Sequence, residues 1–389
     1  MHIYFLNYHK FEGSSGIHIH FLANELVQLG IGCTVCVPHT PDSIGRCGIA
    51  HYDCITFSDL IKRAKQDPAS FHREGVVFHA WTPREIVRRL TEKISHLLNV
   101  PYFIHLEDNE ELLFETHIGK SLHDAANMSW LRRRLLPKSF IHPEHYSRFM
   151  TQAAGVTCIM ESLTEFVPEG LPSLTFWPAC EDLFFDLPIQ PNLEIRHRLG
   201  LSPEAVVLTY TGNVHNANVG EVSSLYEAVG RLNATGREVR LIRCGSDHAS
   251  LSADAVAAER YVSEIGNIPS SELYKYISAA NILVQPGKDD VFNRYRFPSK
   301  LPMFLASGRP VVLPSSNIGL RMSHSENCLL LKSGDVSEIV TAVELLIDDA
   351  GLARTIGDAG RSFAKTHFSW QTSAQKVLGF YNKILRERL

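Results

Sequence analysis

No run of apolar residues in this chain approaches the roughly 20 needed to cross a bilayer as a helix, although 44% of its 389 residues are hydrophobic. With 21% charged residues, that composition describes a chain that buries its apolar side chains in globular cores. The opening Met1-His-Ile-Tyr-Phe-Leu6 lacks a basic segment and is too short for a secretory signal. It reads as a first strand, and the expected compartment is the cytoplasm. Excess charge is also scarce: 38 Lys and Arg against 42 Asp and Glu leave −4 with the histidines neutral. Nucleic acid therefore finds no general attraction here, and a membrane would be touched at most peripherally. The eight cysteines are scattered. Cys33 and Cys36 have C-x-x-C spacing, but Gly32-Cys-Thr-Val-Cys-Val37 alternates like a strand and has no second ligand pair, so both read as buried thiols rather than redox or zinc groups. Internal repeats, low-complexity tracts and heptads are missing, as are His or Asp pairs in convincing metal-ligand context. Neither a metal nor a cofactor is expected.

What is present is an alternation of short apolar runs and amphipathic helices, the pattern of parallel sheets covered on both faces. Strands are predicted at Ile3–Asn7, Cys33–Val37, Val76–Ala80, Tyr102–His105 and Gly155–Met160. Ligands of such sheets bind at the carboxyl ends of the strands, so the loops after Asn7, Ala80, His105 and Met160 are the ones to inspect. The polar Asp186-Leu-Pro-Ile-Gln-Pro-Asn192 reads as a linker. A second series follows, with strands at Val206–Thr211, Val239–Cys244, Ile282–Gln285 and Pro310–Leu313. The expected organisation is one α/β domain over 1–185, a second over 186–369, and a final 370–389 helix long enough to return to the first.

The stretch from Asn293 to Pro314 is the most informative. It reads as a basic loop, a short helix and a sharp turn into a buried strand. Pro298 suits a helix entry. With a start near Ser299, Pro302 still falls among the first four residues, whose N–H groups have no intrahelical partner. Ser299 and Lys300 in the first turn, with Arg294 and Arg296 before it, suit an anion such as a phosphate; an ordinary basic helix start is the plainer reading. Asp289, Asp290 and Asn293 lie just upstream, and Arg243 is a further cation at a strand end. Ser315-Ser-Asn-Ile-Gly319 is another strand-end loop.

Two candidate clusters lie earlier. Gly13-Ser-Ser-Gly16 precedes a helix expected over 17–29, so Ser15 and Gly16 could offer backbone N–H groups to a sugar hydroxyl or phosphate. A plain strand–helix turn needs the same glycines. His18 follows on that helix; with His20 it makes no metal pair, because i and i+2 point to different faces. His105-Leu-Glu-Asp-Asn-Glu-Glu111 is the densest acidic cluster. It is either an acidic helix start or a catalytic group of His105, Glu107 and Asp108, in which a carboxylate accepts a proton or stabilises developing positive charge.

Together these segments resemble the family-4 retaining glycosyltransferases over almost the whole chain. The resemblance rests on Pro298-Ser-Lys-Leu301 with Ala306-Ser-Gly-Arg-Pro-Val-Val312, on Gly13-Ser-Ser-Gly16, on Pro101-Tyr-Phe-Ile-His-Leu-Glu-Asp108, on Thr209-Tyr-Thr-Gly-Asn213, and on the segment from Ile265 to Pro286. It implies a GT-B fold, with two Rossmann-like domains facing each other across a cleft and a C-terminal helix crossing back. It further implies a nucleotide-diphosphate sugar bound at Gly212, Asn213, Asn293, Ser299 and Lys300, with Arg243 and Arg296 as the cations that could replace the family's missing basic pair, and a hydroxyl acceptor (a saccharide, lipid-linked sugar or small metabolite) near Ser15, Gly16 and His18. Aligned by Pro101, Asp108 matches the family's aspartate and Glu107 stands where its histidine is usual. The family's basic pair falls at Asn213 and Asn218, and its two glutamates at Tyr295 and Met303. These departures leave a non-catalytic binding or scaffold protein as one alternative and a nucleotide-sugar epimerase as another.

Overall fold

The computed structural model describes residues 1–11, 13–73 and 75–387, so the last two residues of the expected 370–389 segment lie outside the described residues. The chain forms two compact units. The first comprises Met1–Pro178, Tyr295–Phe297 and Trp370–Leu389; the second comprises Ala179–Arg294 and Pro298–Ser369. The division falls before the expected linker because Leu187 and Pro188 are held in the second unit. Their carbonyls accept hydrogen bonds from Arg361 at 3.1 Å and Arg309 at 3.0 Å.

In the first unit, β1 (His2–Asn7), β2 (Gly32–Val37), β3 (Asp53–Thr56), β4 (Val76–Trp81), β5 (Tyr102–Leu106), β6 (Gly155–Cys158) and β7 (Ser173–Thr175) form one parallel sheet in the order β3-β2-β1-β4-β5-β6-β7. The chain winds outward from β1 and then returns to the opposite side of it, leaving a switch point between β1 and β4. Register places Asn7 opposite Trp81 and Trp81 opposite His105, so the carboxyl ends of three strands meet there. Cys33 and Cys36 lie buried in β2, and burial pushes the Cys33 thiol up to about 12.

The second unit repeats the scheme. Strands β8 (Val206–Thr211), β9 (Val239–Cys244), β10 (Val262–Gly266), β11 (Ile282–Val284), β12 (Val311–Pro314) and β13 (Leu329–Leu331) are parallel in the order β10-β9-β8-β11-β12-β13. One face is covered by helices Val219–Ala234 and Val336–Asp348, whose Leu225, Val229, Ile339 and Val343 join a core with Leu208 and Val284. The other face packs Val207 and Ile242 against Ile195, Tyr276 and Ala279. Among the described residues no helix is long and apolar enough to cross a membrane.

The final helix, Trp370–Glu387, belongs to the first unit and packs on helix Ser14–Gln28, with Trp370 stacked on Phe21. It is anchored by a buried polar relay. Tyr381 Oη lies 2.6 Å from His79 Nδ1, and Thr157 Oγ1 lies 3.0 Å from His79 Nε2 and 2.7 Å from His105 Nδ1. One hydroxyl has one proton, so Thr157 donates to one imidazole and accepts from the other. Burial holds His79 well below its ordinary pKa and lowers His105 to about 3, so the relay is neutral. Tyr381→Phe leaves His79 Nδ1 unpaired and is expected to cost about 1–3 kcal/mol of stability, read as a lower denaturant midpoint.

Candidate functional site

The first unit gathers its chemistry where β1, β4 and β5 end. Glu107 follows β5, and its buried carboxylate collects hydrogen bonds from elements far apart in sequence. Ser15 Oγ donates to it from the first turn of helix Ser14–Gln28. His18 Nδ1 lies at 3.1 Å and Trp81 Nε1–H donates at 2.9 Å. Burial alone would raise this carboxyl. The His18 hydrogen bond, the His18 and His105 interactions and the Ser15 donor outweigh that and hold it down at about 2. A carboxylate so fully engaged is a permanent anion that fixes its neighbours. Glu107, as an anion, can only accept, so His18 Nδ1–H donates to it and the ring is held in that orientation.

Asp108 points elsewhere and keeps 37% of its side chain exposed. Surrounding protein pushes its carboxyl up, while the Arg84 guanidinium, 4.0 Å away, pulls it down, as does Arg296. Arg84 also donates from Nε to both oxygens of buried Glu110, at 3.1 and 3.0 Å, and lies 4.0 Å above the Tyr8 ring. Thr82 adopts φ 77°, a strained value for a β-branched residue. Its Oγ1 and both polar atoms of Asn7 are buried without a hydrogen-bond partner, which is polar capacity held at the strand ends for water or ligand.

In the second unit the site forms around the turn after β8. Gly212 lets two side-chain ends close on the turn: a Cβ would stand 2.6 Å from Tyr210 Oη and 2.8 Å from Lys300 Nζ, so both would have to move. The Lys300 ammonium lies 4.7 Å from the Tyr210 ring centroid, so the turn, the aromatic ring and the cation are in contact. Behind them Asn293 Nδ2 donates to Glu221 Oε1 at 2.5 Å, and Asn317, at φ 47°, donates to the Asn293 carbonyl at 3.0 Å. Ser316 Oγ beside it is buried and unpartnered.

Several expected residues are placed differently. His105 is fully buried, packed against Trp81 with ring centroids 4.0 Å apart, and bound through Nδ1 to Thr157, with Nε2 buried and unpartnered; it sits in the core rather than beside Asp108 at the surface. Arg243 is consumed internally. Its Nε donates to Glu264 at 2.6 Å and its Nη2 to both Asp247 oxygens at 2.7 and 2.8 Å, so it braces the Gly212 turn instead of offering charge to a ligand. Asn213 Oδ1 accepts the Ser246 N–H, and Asn218 donates to the Asn213 carbonyl, so this pair too fastens the turn. Gly16 has a packing reason of its own, since a Cβ would lie 2.6 Å from Phe11 Cα. Ser299 and Lys300 precede the short helix Leu301–Ala306 rather than opening it, so the expected placement of both in its first turn does not hold. Arg296 groups with the first unit, where its charge is felt at Asp108. Tyr295 donates its hydroxyl to Glu165 at 2.7 Å.

Tyr8, Trp81 and Arg84 were not singled out from the sequence, although they sit in or beside strand-end loops marked for inspection. Glu221, Asp247 and Glu264 carried no signal, because each acts through a partner distant in sequence. Among the described residues one group has metal-ligand character, His142, Glu144 and His145, with ligand atoms within 4.8 Å of one another. Its Glu144 is held by Arg133 at 3.1 Å and the His142 and His145 rings are stacked.

Residues 205–349 match the family described as "Glycosyl transferases group 1". The chain is 23% identical over 211 residues to the D-inositol 3-phosphate glycosyltransferase of Stackebrandtia nassauensis, covering 51% of this chain and 46% of that protein. It is 27% identical over 172 residues to the MMP alpha-(1->4)-mannosyltransferase of Mycolicibacterium hassiacum, covering 42% and 40%. The matched region thus spans less than half the length of either relative. Among solved structures it resembles Anabaena HepE in complex with UDP, with a TM-score of 0.71 at 14% identity over 98% of this chain and 100% of that one. It also resembles the sucrose-phosphate synthase of Thermosynechococcus elongatus, with a TM-score of 0.69 at 16% identity over the whole of both chains. These structural likenesses show the fold, which is GT-B.

Proposed function

We propose that the protein is a retaining glycosyltransferase of the family-4 type, moving a sugar from a nucleotide-diphosphate sugar to the hydroxyl of a saccharide, lipid-linked sugar or small metabolite. One observation carries this reading: Lys300 meets the Gly212 turn and Tyr210 inside the region that matches glycosyltransferases. A side-chain ammonium over a close-approach glycine turn suits the diphosphate, whose charge grows as the sugar leaves. Lys300 takes that charge, with Ser299 beside it. Asn293, steered by Glu221, presents its loop to the donor, and the exposed Asn213 lies at the edge of the turn. In the first unit His18, oriented by Glu107, and Asp108, balanced by Arg84, receive the acceptor hydroxyl, with Ser15 and Gly16 shaping the helix start. The bond from the anomeric carbon to the diphosphate breaks, the acceptor oxygen bonds to that carbon, and the leaving oxygen takes the acceptor proton on the same face. Side-chain cations, in this reading, do the work a metal ion does in other transferases.

A second reading has its own support. Tyr295 and Met303 stand where the resemblance calls for carboxylates, and Arg243, Asn213 and Asn218 are spent on internal bonds. A binding protein with a spent catalytic site fits those facts. Thermal shift with a panel of nucleotide diphosphates and nucleotide sugars, without added metal, separates the two. Uridine diphosphate is the first to test, since HepE holds it. A stabilising shift followed by transfer with the anomeric configuration kept, read by NMR, supports the enzyme. A shift without turnover against any acceptor class supports the binding protein, and no shift from any nucleotide, in a protein that melts cooperatively, overturns the donor site.

A further inference from the structure

The excursion between β5 and β6 carries a surface that the transfer reaction does not use. Trp130, Leu131 and Leu135 are 64%, 55% and 75% exposed, and among the described residues no other stretch this short exposes three large hydrophobics. Residues 129–138 also hold Arg132, Arg133, Arg134 and Lys138 and no Asp or Glu. That local excess of positive charge contradicts the sign of the chain, whose net charge is −4.

The segment is built to present these groups. Arg133 turns inward, donating from Nη1 to the carbonyls of Ala126 and Met128 at 2.8 and 2.5 Å and from Nε to Glu144 at 3.1 Å. The far end is tied to helix Glu85–Leu98, whose Glu85 and Ile86 N–H groups donate to the carbonyls of Phe140 and Lys138. Helix Trp130–Arg134 is thereby fixed, with Trp130 and Leu131 outward and the Arg134 guanidinium 6.0 Å from the Trp130 ring centroid. Arg132, Arg134 and Lys138 have no carboxylate partner among the described residues.

We propose that this segment docks the protein peripherally on an anionic lipid surface. Trp130, Leu131 and Leu135 enter the interfacial layer, and Arg132, Arg134 and Lys138 meet lipid phosphates. Water leaves exposed apolar area unpaid for, whereas a bilayer interface accepts an aromatic ring with a polar edge beside aliphatic side chains. Arginines interleaved with those side chains supply the attraction that brings the surface near, and neither element alone anchors as firmly as both. This inference is independent of the chemistry proposed above and holds for an enzyme or a binding protein alike.

The test is co-sedimentation of the full chain with vesicles of phosphatidylcholine alone and of phosphatidylcholine with phosphatidylglycerol. Binding to the anionic vesicles that weakens with salt is expected. It should fall by roughly tenfold or more in the Trp130→Ser/Leu131→Ser/Leu135→Ser variant and in Arg132→Gln/Arg134→Gln. All five positions are exposed, so melting temperatures should stay near the parent's, which separates lost docking from lost folding. Brominated lipid should quench the parent's tryptophan emission and spare Trp130→Phe. Failure of the parent to sediment with anionic vesicles overturns the proposal. So does sedimentation unchanged by the apolar triple substitution, which would reduce the interaction to simple charge attraction and point to an acidic macromolecule.

Discussion

Lys300→Ala is expected to lower kcat/KM for the sugar donor by about 10²–10³, with most of the loss in kcat, while the protein melts close to the parent temperature. The magnitude follows from what a preorganised cation is worth against charge that grows on a leaving group, about 3–4 kcal/mol. The contact with the Tyr210 ring that the substitution removes is worth about 0.5–1 kcal/mol, and the melting temperature is the control that separates lost binding from lost folding. Lys300→Arg should not rescue. An ammonium is a compact point charge and a guanidinium a wider planar fork with its donors in fixed directions, so the arginine does not reproduce the lysine's contact with the turn. Gly212→Ala tests the same approach from the other side, since its methyl would strike both Tyr210 Oη and Lys300 Nζ. Steady-state kinetics beside calorimetric nucleotide binding settles the matter. A Lys300→Ala protein with parental turnover and parental nucleotide affinity would remove the diphosphate from this turn.

The central strands were legible in the sequence, and the physical reason is burial. β1, β4, β5, β8 and β11 are covered on both faces and read as short apolar runs. The four strands that escaped, β3, β7, β10 and β13, are the four sheet edges. β3 and β10 carry Asp53 and Glu264 among mixed residues and β7 is a short, partly exposed Ser-Leu-Thr, so no apolar run marks them; β13 is three leucines, as short as β11, and went unread all the same. The site was legible by place more than by role. Strand-end reasoning led to the loops that hold Tyr8, Trp81 and Arg84, and the basic helix entry after Pro298 led to Lys300. It gave His105 a catalytic part because it cannot see that a strand residue one pleat from the end points into the core. It gave Arg243 a ligand because a guanidinium looks free until Asp247 and Glu264 are brought beside it by β9 and β10.

Glu107 gives the second large effect, and here the observable is pH. Its carboxyl is held at about 2 against an ordinary 4.5, so it is a group whose folded pKa is depressed. Such a group adds stability that is fully present above about pH 4.5 and is lost as pH falls through about 2, because protonation must then break the bonds that the anion accepts. A depression of this size corresponds to about 3 kcal/mol at neutral pH, more than half of which should be gone by about pH 3. Glu107→Gln is expected to destabilise the protein at neutral pH by about 2–3 kcal/mol, because an amide brings its own donor among Ser15, His18 and Trp81, which are already donors. It should also flatten the stability–pH curve across the acid window, so that parent and variant converge as pH falls. Denaturant unfolding of both proteins at neutral pH and near pH 3 measures this directly. Turnover should fall in the same variant by about 10–10², since His18 loses the anion that sets its tautomer and orientation. Parallel stability–pH curves for the two proteins would show that Glu107 is not the anion at the centre of this cluster. Parallel curves with turnover intact would also take His18 out of the acceptor site.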